Sequence, residues 1–422
     1  MKKLKKAGGN WVDGDRFFDR DVELEALSER VKEGTHTLLT AQRRMGKTSL
    51  VRELLRQLAD EGSFETIFVD LEGANDSADA IAEIAIQTRS VRTVWGRIKS
   101  GFANFLEDFG DRIEALEVAD VKVKLRAGID AGNWRQRGDQ IFTALALSEK
   151  PVVLAIDELP ILINRLLKGQ DYRITPDRRD AADQFLSWLR KNGQTHRGRV
   201  SMIVSGSVGL EPVLKQAGLS AQANIFSPFE LRPWSREISI KCLGSLAYTY
   251  GLDLSREVRS EMCHRLRCCV PHHVQQFFDH LHEHLRRNKR LAATLADVGH
   301  VYEQDLLSVR GQIDLEHYES RLRMILGTES YKTALSLLTE TAVGDALLRW
   351  KSIEKYRGGH STGSGDSVTI EDVLYTLEHD GYLAADSDGY RFVSGLLEDW
   401  WKARHGAYFI PIDRRRSRQE AK

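Results

Sequence analysis

The sequence predicts an α/β protein, a parallel β-sheet flanked by helices, followed by a helical stretch and a small unit of helices and a hairpin. Three observations predict it. Residues 152–157 (VVLAID) and 200–205 (VSMIVS) are apolar runs without alternation, as in strands covered on both faces. Helical periodicity separates such runs, which is the signature of parallel strands joined by helical crossovers. A glycine-containing loop with phosphate-binding spacing, residues 41–49 (AQRRMGKTS), falls between a short apolar strand and an amphipathic helix.

Composition sets the outer limits. With 422 residues the chain has room for about two or three domains. At 41% hydrophobic residues it can form an ordinary core without staples. Its 61 basic residues are balanced by 61 acidic ones, which excludes a globally basic nucleic-acid binder but leaves local patches open. No apolar run approaches the ~20 residues of a bilayer span, and the basic start MKKLKKAGGNW lacks an apolar signal core. Four cysteines in this length are no disulfide framework. The expectation is a cytoplasmic protein with no membrane partner.

The elements follow in order. Residues 1–12 read as a loose basic tail and 13–235 as the sheet-containing core. Within 13–31, Phe17, Leu24, Leu27 and Val31 recur at helical spacing. Residues 35–40 read as a strand, and the helix after the loop gathers Leu50, Val51, Leu54, Leu55 and Leu58 on one face. Residues 64–70 (FETIFVD) are a further strand, and 75–118 are helical. In 121–126 (VKVKLR) apolar and basic residues alternate, which predicts a strand with one basic face, either a lysine-guarded edge or a contact for phosphates. The α/β pattern stops near Pro233. Residues 236–320 are helical, 321–405 carry helices and a hairpin, and 406–422 form a basic tail. The Gly/Ser stretch 358–365 reads as a flexible loop.

The loop matches GxxxxGK[ST] at Gly46, Lys47 and Thr48, with Ala41 in place of the leading glycine. Backbone N–H groups along Ala41, Gln42, Arg43, Arg44, Met45 and Gly46, continuing to Ser49 in the helix N-terminus, are expected to form a concave anion site. Lys47 is assigned to the β/γ phosphates and the Thr48 hydroxyl to Mg²⁺. Ala41 is compatible as long as its backbone avoids a positive φ. The apolar strand 152–157 ends in Asp157 and Glu158 at the carboxyl edge of the sheet, where ligands bind in open parallel sheets. Asp157 is expected to orient the Mg²⁺ and Glu158 to act as general base on the attacking water. Ser205, at the end of the next strand, is either a γ-phosphate sensor or part of a Ser-Gly turn. The implied cofactors are ATP and Mg²⁺.

With these residues in place, the chain resembles the archaeal-type ATPases of the STAND/AAA-like P-loop class. The landmarks are FFDRDVEL from Phe17, AQRRMGKTSL, VVLAIDEL, IVSGSVGLEPVL from Ile203, SPFELRPWS from Ser227, VPHHVQ around Pro271 and YRFVSGLLEDWW from Tyr390. The resemblance covers about residues 13–405. It implies an ATP site closed by a helical lid and a winged-helix domain, with Phe18 and Arg20 near the adenine and Pro271 in the lid segment that meets nucleotide. Two departures stand out, Ala41 in the loop and Cys268–Cys269 where glycine is usual before the proline. Arg43 and Arg44 are left to a neighbouring subunit or to solvent.

Residues 329–405 fit a winged helix by their order of three helices and a hairpin. Its third helix carries Glu371, Asp372, Glu378 and Asp380, and the hairpin tip Asp386 and Asp388, so groove reading of DNA by that helix is disfavoured. The tail residues Arg414, Arg415, Arg416 and Arg418 suit either sequence-independent nucleic-acid binding or a solvated terminus. Cys263, Cys268 and Cys269 lack C-x-x-C spacing and are assigned to packing, as are Trp400 and Trp401. The sequence thus points to an ATP-hydrolysing switch that acts through a protein partner or self-assembly. A DNA-handling ATPase and a non-catalytic nucleotide-dependent scaffold are the alternatives.

Overall fold

Strands β1 (Thr37–Thr40), β2 (Glu65–Asp70), β3 (Val152–Asp157), β4 (Val200–Ser205) and β5 (Ser227–Glu230) form one parallel sheet in the order β2-β3-β4-β1-β5. The structure, a computed structural model, describes residues 3–7, 11–101, 118–308, 313–344, 347–360 and 369–415. Every residue of β3 and β4 is buried, so both sheet faces are covered, as their unbroken apolar sequences require. Helices α1 (Asp21–Lys32), α2 (Lys47–Asp60), α3 (Ser77–Gln87), α4 (Arg92–Gly101), α5 (Val118–Ala127), α6 (Trp134–Ala146), α7 (Leu159–Lys168), α8 (Pro176–Thr195) and α9 (Leu210–Gln216) flank it. The register pairs Leu39 with Ser205, Ile156 with Val204 and Asp70 with Asp157, which brings the carboxyl ends of four strands level.

One element differs from its sequence reading. The expected strand at 121–126 lies within helix α5. Val121 and Leu125 satisfy both a period of two and an i, i+4 helical stripe, and both are buried. The basic residues decide between them, because α3 and its cap present acids at helical spacing. Lys122 pairs with Glu83, and Arg126 pairs with Asp79 and, at 2.8 Å, with Asp76. The basic face is therefore neither a guarded edge nor a phosphate contact. Phe17 also falls outside α1, which begins only after Arg20.

The chain divides into two compact units. The sheet unit comprises Arg20–Thr40 and Lys47–Leu231; the helical unit comprises Met1–Asp19, Ala41–Gly46 and Arg232–Lys422. In the helical unit α10 (Arg236–Tyr250), α11 (Arg256–Leu266), α12 (Pro271–Arg287) and α13 (Leu295–Val301) precede α14 (Ile313–Val343), which is broken at Gly327. Then come β6 (Leu348–Arg349), α15 (Trp350–His360), α16 (Ile370–His379), β7 (Leu383–Asp386), β8 (Gly389–Phe392) and α17 (Gly395–His405), the strands forming an antiparallel sheet β6-β8-β7. One hydrophobic core runs through all of these helices, with Phe277, Phe278, Tyr318, Trp400 and Trp401 fully buried. Among the described residues no helix is long and apolar enough to cross a membrane.

The start of the chain is not a loose tail over its described residues. Leu4 is 0% exposed and joins that core. The backbone N–H groups of Leu4, Lys6 and Ala7 donate to Thr249 Oγ1 (2.9 Å), Tyr250 Oη (3.1 Å) and Gln275 Oε1 (2.9 Å). A single leucine among lysines carries little periodicity, which is why the segment reads as tail in sequence.

Two outcomes follow for stability. Leu4→Ala is expected to cost about 2 kcal/mol or more, as for other fully buried leucines; chemical denaturation would measure it. Glu319 of α14 is held by His405, by the Tyr331 hydroxyl and by Arg404, which lower its carboxyl from the usual 4.5 to about 2. A depressed folded-state pKa stabilises the fold above 4.5 and loses that contribution as pH falls through 4.5 towards 2. Glu319→Gln is therefore expected to flatten the acid limb of a stability–pH curve while lowering stability at neutral pH.

Candidate active site

In the sheet unit the carboxylate of Asp157 is the meeting point of three elements. Thr48, in the first turn of α2, donates from Oγ1 to Asp157 Oδ2 at 2.7 Å. Ser205, at the end of β4, donates from Oγ to Oδ1 at 2.7 Å, and the Glu158 N–H adds a third bond at 3.1 Å. Both hydroxyl protons are thus committed to the carboxylate, and the Thr48 oxygen has its lone pairs to offer a cation. Lys47 is the first residue of α2 and is buried.

Glu158 follows in the left-handed region (φ 58°, ψ 25°) as the cap of α7. A non-glycine residue there costs about 1–2 kcal/mol, and such backbone recurs at functional sites. Its Oε2 accepts from the backbone N–H of Ser207 at 2.9 Å and from the Ser207 hydroxyl at 3.0 Å. The turn after β4 therefore serves both acids, Ser205 holding Asp157 and Ser207 holding Glu158. Asp70, aligned with Asp157 across the β2–β3 pair, was not singled out from sequence. Desolvation and the neighbouring charges of Asp157 and Glu72 raise its pKa, while its bond from the Glu72 N–H opposes them. The available signal was a second strand, FETIFVD, also ending in aspartate.

The first half of the loop belongs to the helical unit. Arg44 and Gly46 take positive φ (66° and 86°) and Ala41 does not, so a methyl group is tolerated where the motif has glycine. Gln42 Nε2 donates to the Gly381 carbonyl at 2.7 Å, and the Tyr318 hydroxyl donates to the Arg43 carbonyl at 3.3 Å. Tyr382, the residue after Gly381, donates to the Tyr318 carbonyl at 2.8 Å and closes the cluster. Gly381 has φ +75°, and a Cβ there would lie 2.7 Å from the Gln42 side chain.

The Arg43 side chain is largely enclosed near this cluster rather than facing open solvent. Burial, reinforced by Arg321 and Arg44, lowers its pKa, with the Tyr318 and Tyr382 hydroxyls acting in the opposite sense. Its Nε and Nη1 are buried without a hydrogen-bond partner among the described residues. Such donors suit an anion, so the loop fits a nucleotide phosphate chemically. Among the described residues no three His, Cys, Asp or Glu side chains converge on a metal-sized site. The hard oxygen donors Thr48 and Asp157 fit Mg²⁺ of the kind completed by phosphate oxygens and water.

The other expected site residues are distributed over both units. Phe18, in the helical unit, packs edge-on against Trp234 with ring centroids 5.7 Å apart. Pro271 is the buried first residue of α12. Arg20, in the sheet unit, is buried, left-handed (φ 81°) and ion-paired with Glu23 at 2.6 Å. Met45 and Ser49 are buried. On α16, Asp372 closes a capping box with Thr369 and Glu371 pairs with Arg357 at 2.6 Å. In the basic tail Arg415 folds back to the Ile410 carbonyl (2.9 Å) and the Tyr356 hydroxyl (3.3 Å), while Arg416 and Arg418 lie outside the described residues. The Gly/Ser stretch beyond His360 does too.

No protein-family profile and no curated protein matches the sequence. Solved structures do. The Walker-type ATPase PABY2304 of Pyrococcus abyssi superposes with a TM-score of 0.57 at 18% identity, covering 92% of this chain and 96% of that one. The ORC2 protein of Aeropyrum pernix, solved in ADPNP–ADP complexes, superposes with a TM-score of 0.53 at 12% identity, covering 93% and 98%. The fold is that of a P-loop ATPase. At these identities the likeness concerns the fold alone.

Two substitutions test how the C-terminal elements grip the loop. Gly381→Ala is expected to cost about 1–2 kcal/mol through its left-handed backbone and to displace Gln42. Tyr318→Phe removes only the hydroxyl and is expected to cost about 1 kcal/mol. Thermal and urea denaturation measure both, and a neutral Gly381→Ala would refute the contact.

Proposed function

We propose that the chain binds Mg-ATP and hydrolyses it as a molecular switch, its nucleotide state governing a protein contact or self-assembly. The observation that carries this reading is the hydrogen-bonded set Thr48–Asp157–Ser205 beside Glu158–Ser207. Mg²⁺, when bound, would supply charge neutralisation at the phosphates. Thr48 would ligate it directly and Asp157 through its water shell, with the Asp157 carboxylate fixed by Ser205. Lys47 and the loop N–H groups would hold the phosphates. Glu158, anchored on Oε2 by Ser207, would take the proton of the attacking water. A receptor that only binds nucleotide has no use for a base at that position, which favours turnover over the scaffold reading.

The switch half of the proposal rests on Gln42 and Arg43, whose side chain and carbonyl are held by Gly381 and Tyr318. A loop that must rearrange around phosphates would report to those contacts, and through them to the elements read from sequence as a winged helix. Assignment to the STAND class rests on the sequence landmarks, and the free state of all four cysteines suits a cytoplasmic setting. The names of the structural neighbours, an ATPase and an ORC2 protein, are compatible with nucleotide binding.

Steady-state Mg-ATP hydrolysis with Glu158→Gln and Lys47→Ala tests the reading. Glu158→Gln is expected to lower turnover about 100-fold or more with ATP binding retained, and Lys47→Ala to lose binding. Wild-type turnover that survives Glu158→Gln would sink the catalytic assignment. Stimulation by duplex DNA that fades with salt would favour the DNA-handling alternative.

A further inference from the structure

The helical unit contains a second chemical feature that the nucleotide reading does not use. A cavity of about 440 Å³ is lined by Pro233, Trp234, Arg236, His264 and Arg267 together with three cysteines, Cys263, Cys268 and Cys269. The three thiols occupy different environments. Cys263, in the last turns of α11, and Cys269 are both buried in the wall of this cavity, and each thiol shifts the ionisation of the other. Cys269 also lies within reach of the Ser239 hydroxyl and near the Arg236 guanidinium. Burial pushes the Cys268 thiol up to about 12, and burial also raises Cys242, which is fully enclosed.

The backbone fixes Cys269 in place. Arg267 takes a left-handed φ of 56°, and two tight turns follow, from Cys268 N–H to Leu266 O (2.6 Å) and from Val270 N–H to Cys268 O (3.0 Å). The Trp234 N–H then donates to the Cys269 carbonyl at 3.1 Å, and Pro271 starts α12 two residues later. These bonds fix the Cys269 backbone just after the end of α11, in the same cavity wall as Cys263.

We propose that Cys263 and Cys269 form a reversible oxidation site, in which Cys269 is the attacking thiol, Cys263 the resolving thiol and hydrogen peroxide the oxidant reaching them through the cavity. The surroundings of the Cys269 sulfur favour its thiolate, the Cys263 thiol acting most strongly and the Arg236 guanidinium of the same cavity wall adding positive charge, against the cost of burial. After ionising, the Cys269 sulfur attacks one peroxide oxygen; the S–O bond forms, the O–O bond breaks, and the departing hydroxide leaves as water with the thiol's proton. Cys263 then attacks the Cys269 sulfur; the S–S bond forms, the S–O bond breaks, and the second hydroxide leaves as water with the Cys263 proton. Two thiols and one peroxide give one disulfide and two waters. The ring so closed is short, so its effect is local: it pins the end of α11 to the start of α12 beside Trp234. The inference does not depend on nucleotide hydrolysis.

The test uses the full chain exposed to hydrogen peroxide, quenched by alkylation under denaturing conditions and mapped by peptide mass spectrometry. The expected product has lost two hydrogens and links the peptide carrying Cys263 to that carrying Cys268 and Cys269, with the link cleaved by dithiothreitol. Cys268→Ser is expected to keep the link, and Cys269→Ser to abolish it. Cys263→Ser should leave Cys269 as a sulfenic acid trapped by dimedone, and roughly tenfold more label than on Cys242 or Cys268 is expected from its thiolate character. Circular dichroism of each variant separates loss of chemistry from loss of fold. A link that runs through Cys268, or equal oxidation of all four thiols in folded protein, would overturn the assignment.

Discussion

The proposed chemistry depends on one carboxylate. Asp157 accepts from Thr48 and Ser205 at once, so the first turn of α2 and the ends of β3 and β4 are fixed with respect to each other before any ligand arrives. That arrangement needs β4 to lie beside β3, as the strand order provides. The same tight turn after β4 supplies the donors for Glu158. If Asp157 orients a metal ion and Glu158 acts as the base, as proposed, holding both from the end of β4 and the residues just after it lowers the reorganisation required when water is to be activated.

The helical unit imposes a second constraint on the loop, from the side of its backbone carbonyls and the Gln42 amide. Gly381 ends α16 in a left-handed conformation and offers its carbonyl to Gln42. Tyr318 lies fully buried and reaches the Arg43 carbonyl. These two contacts hold the loop at the Gln42 side chain and the Arg43 carbonyl. The buried Arg43 donors add positive charge where neighbouring arginines already disfavour it. An anion would relieve that repulsion.

Much of this was legible in the sequence. The strands that carry Asp157 and Ser205 announce themselves because burial on both faces permits only apolar residues, and the Gly46-Lys47-Thr48 run has few other uses at that point of a fold. The basic segment at 121–126 was misread because six residues cannot separate a period of two from 3.6 when the apolar positions satisfy both. The acids of α3 that settle it lie some forty residues earlier in the chain. Leu4 was missed for a related reason: one buried side chain leaves no pattern. Gln42, Tyr318 and Gly381 were invisible as a set, since nothing in a sequence couples a loop residue to a helix cap more than three hundred positions away. Asp70 was legible in principle, as its strand was identified and its terminal acid overlooked.

The chain passes between the two compact units at Thr40 and again at Gly46, so the motif that looks continuous in sequence is shared between them. A chain truncated before Arg232 would keep Lys47, Thr48, Asp157 and Glu158 on an intact sheet, yet it would strip Gln42 and the Arg43 carbonyl of the groups that hold them. The minimal piece that looks sufficient for catalysis would therefore carry a slack loop. For this architecture, modularity ends inside the motif itself, and dissection by domain boundaries would mistake a loss of loop order for a loss of the residues proposed to act on nucleotide.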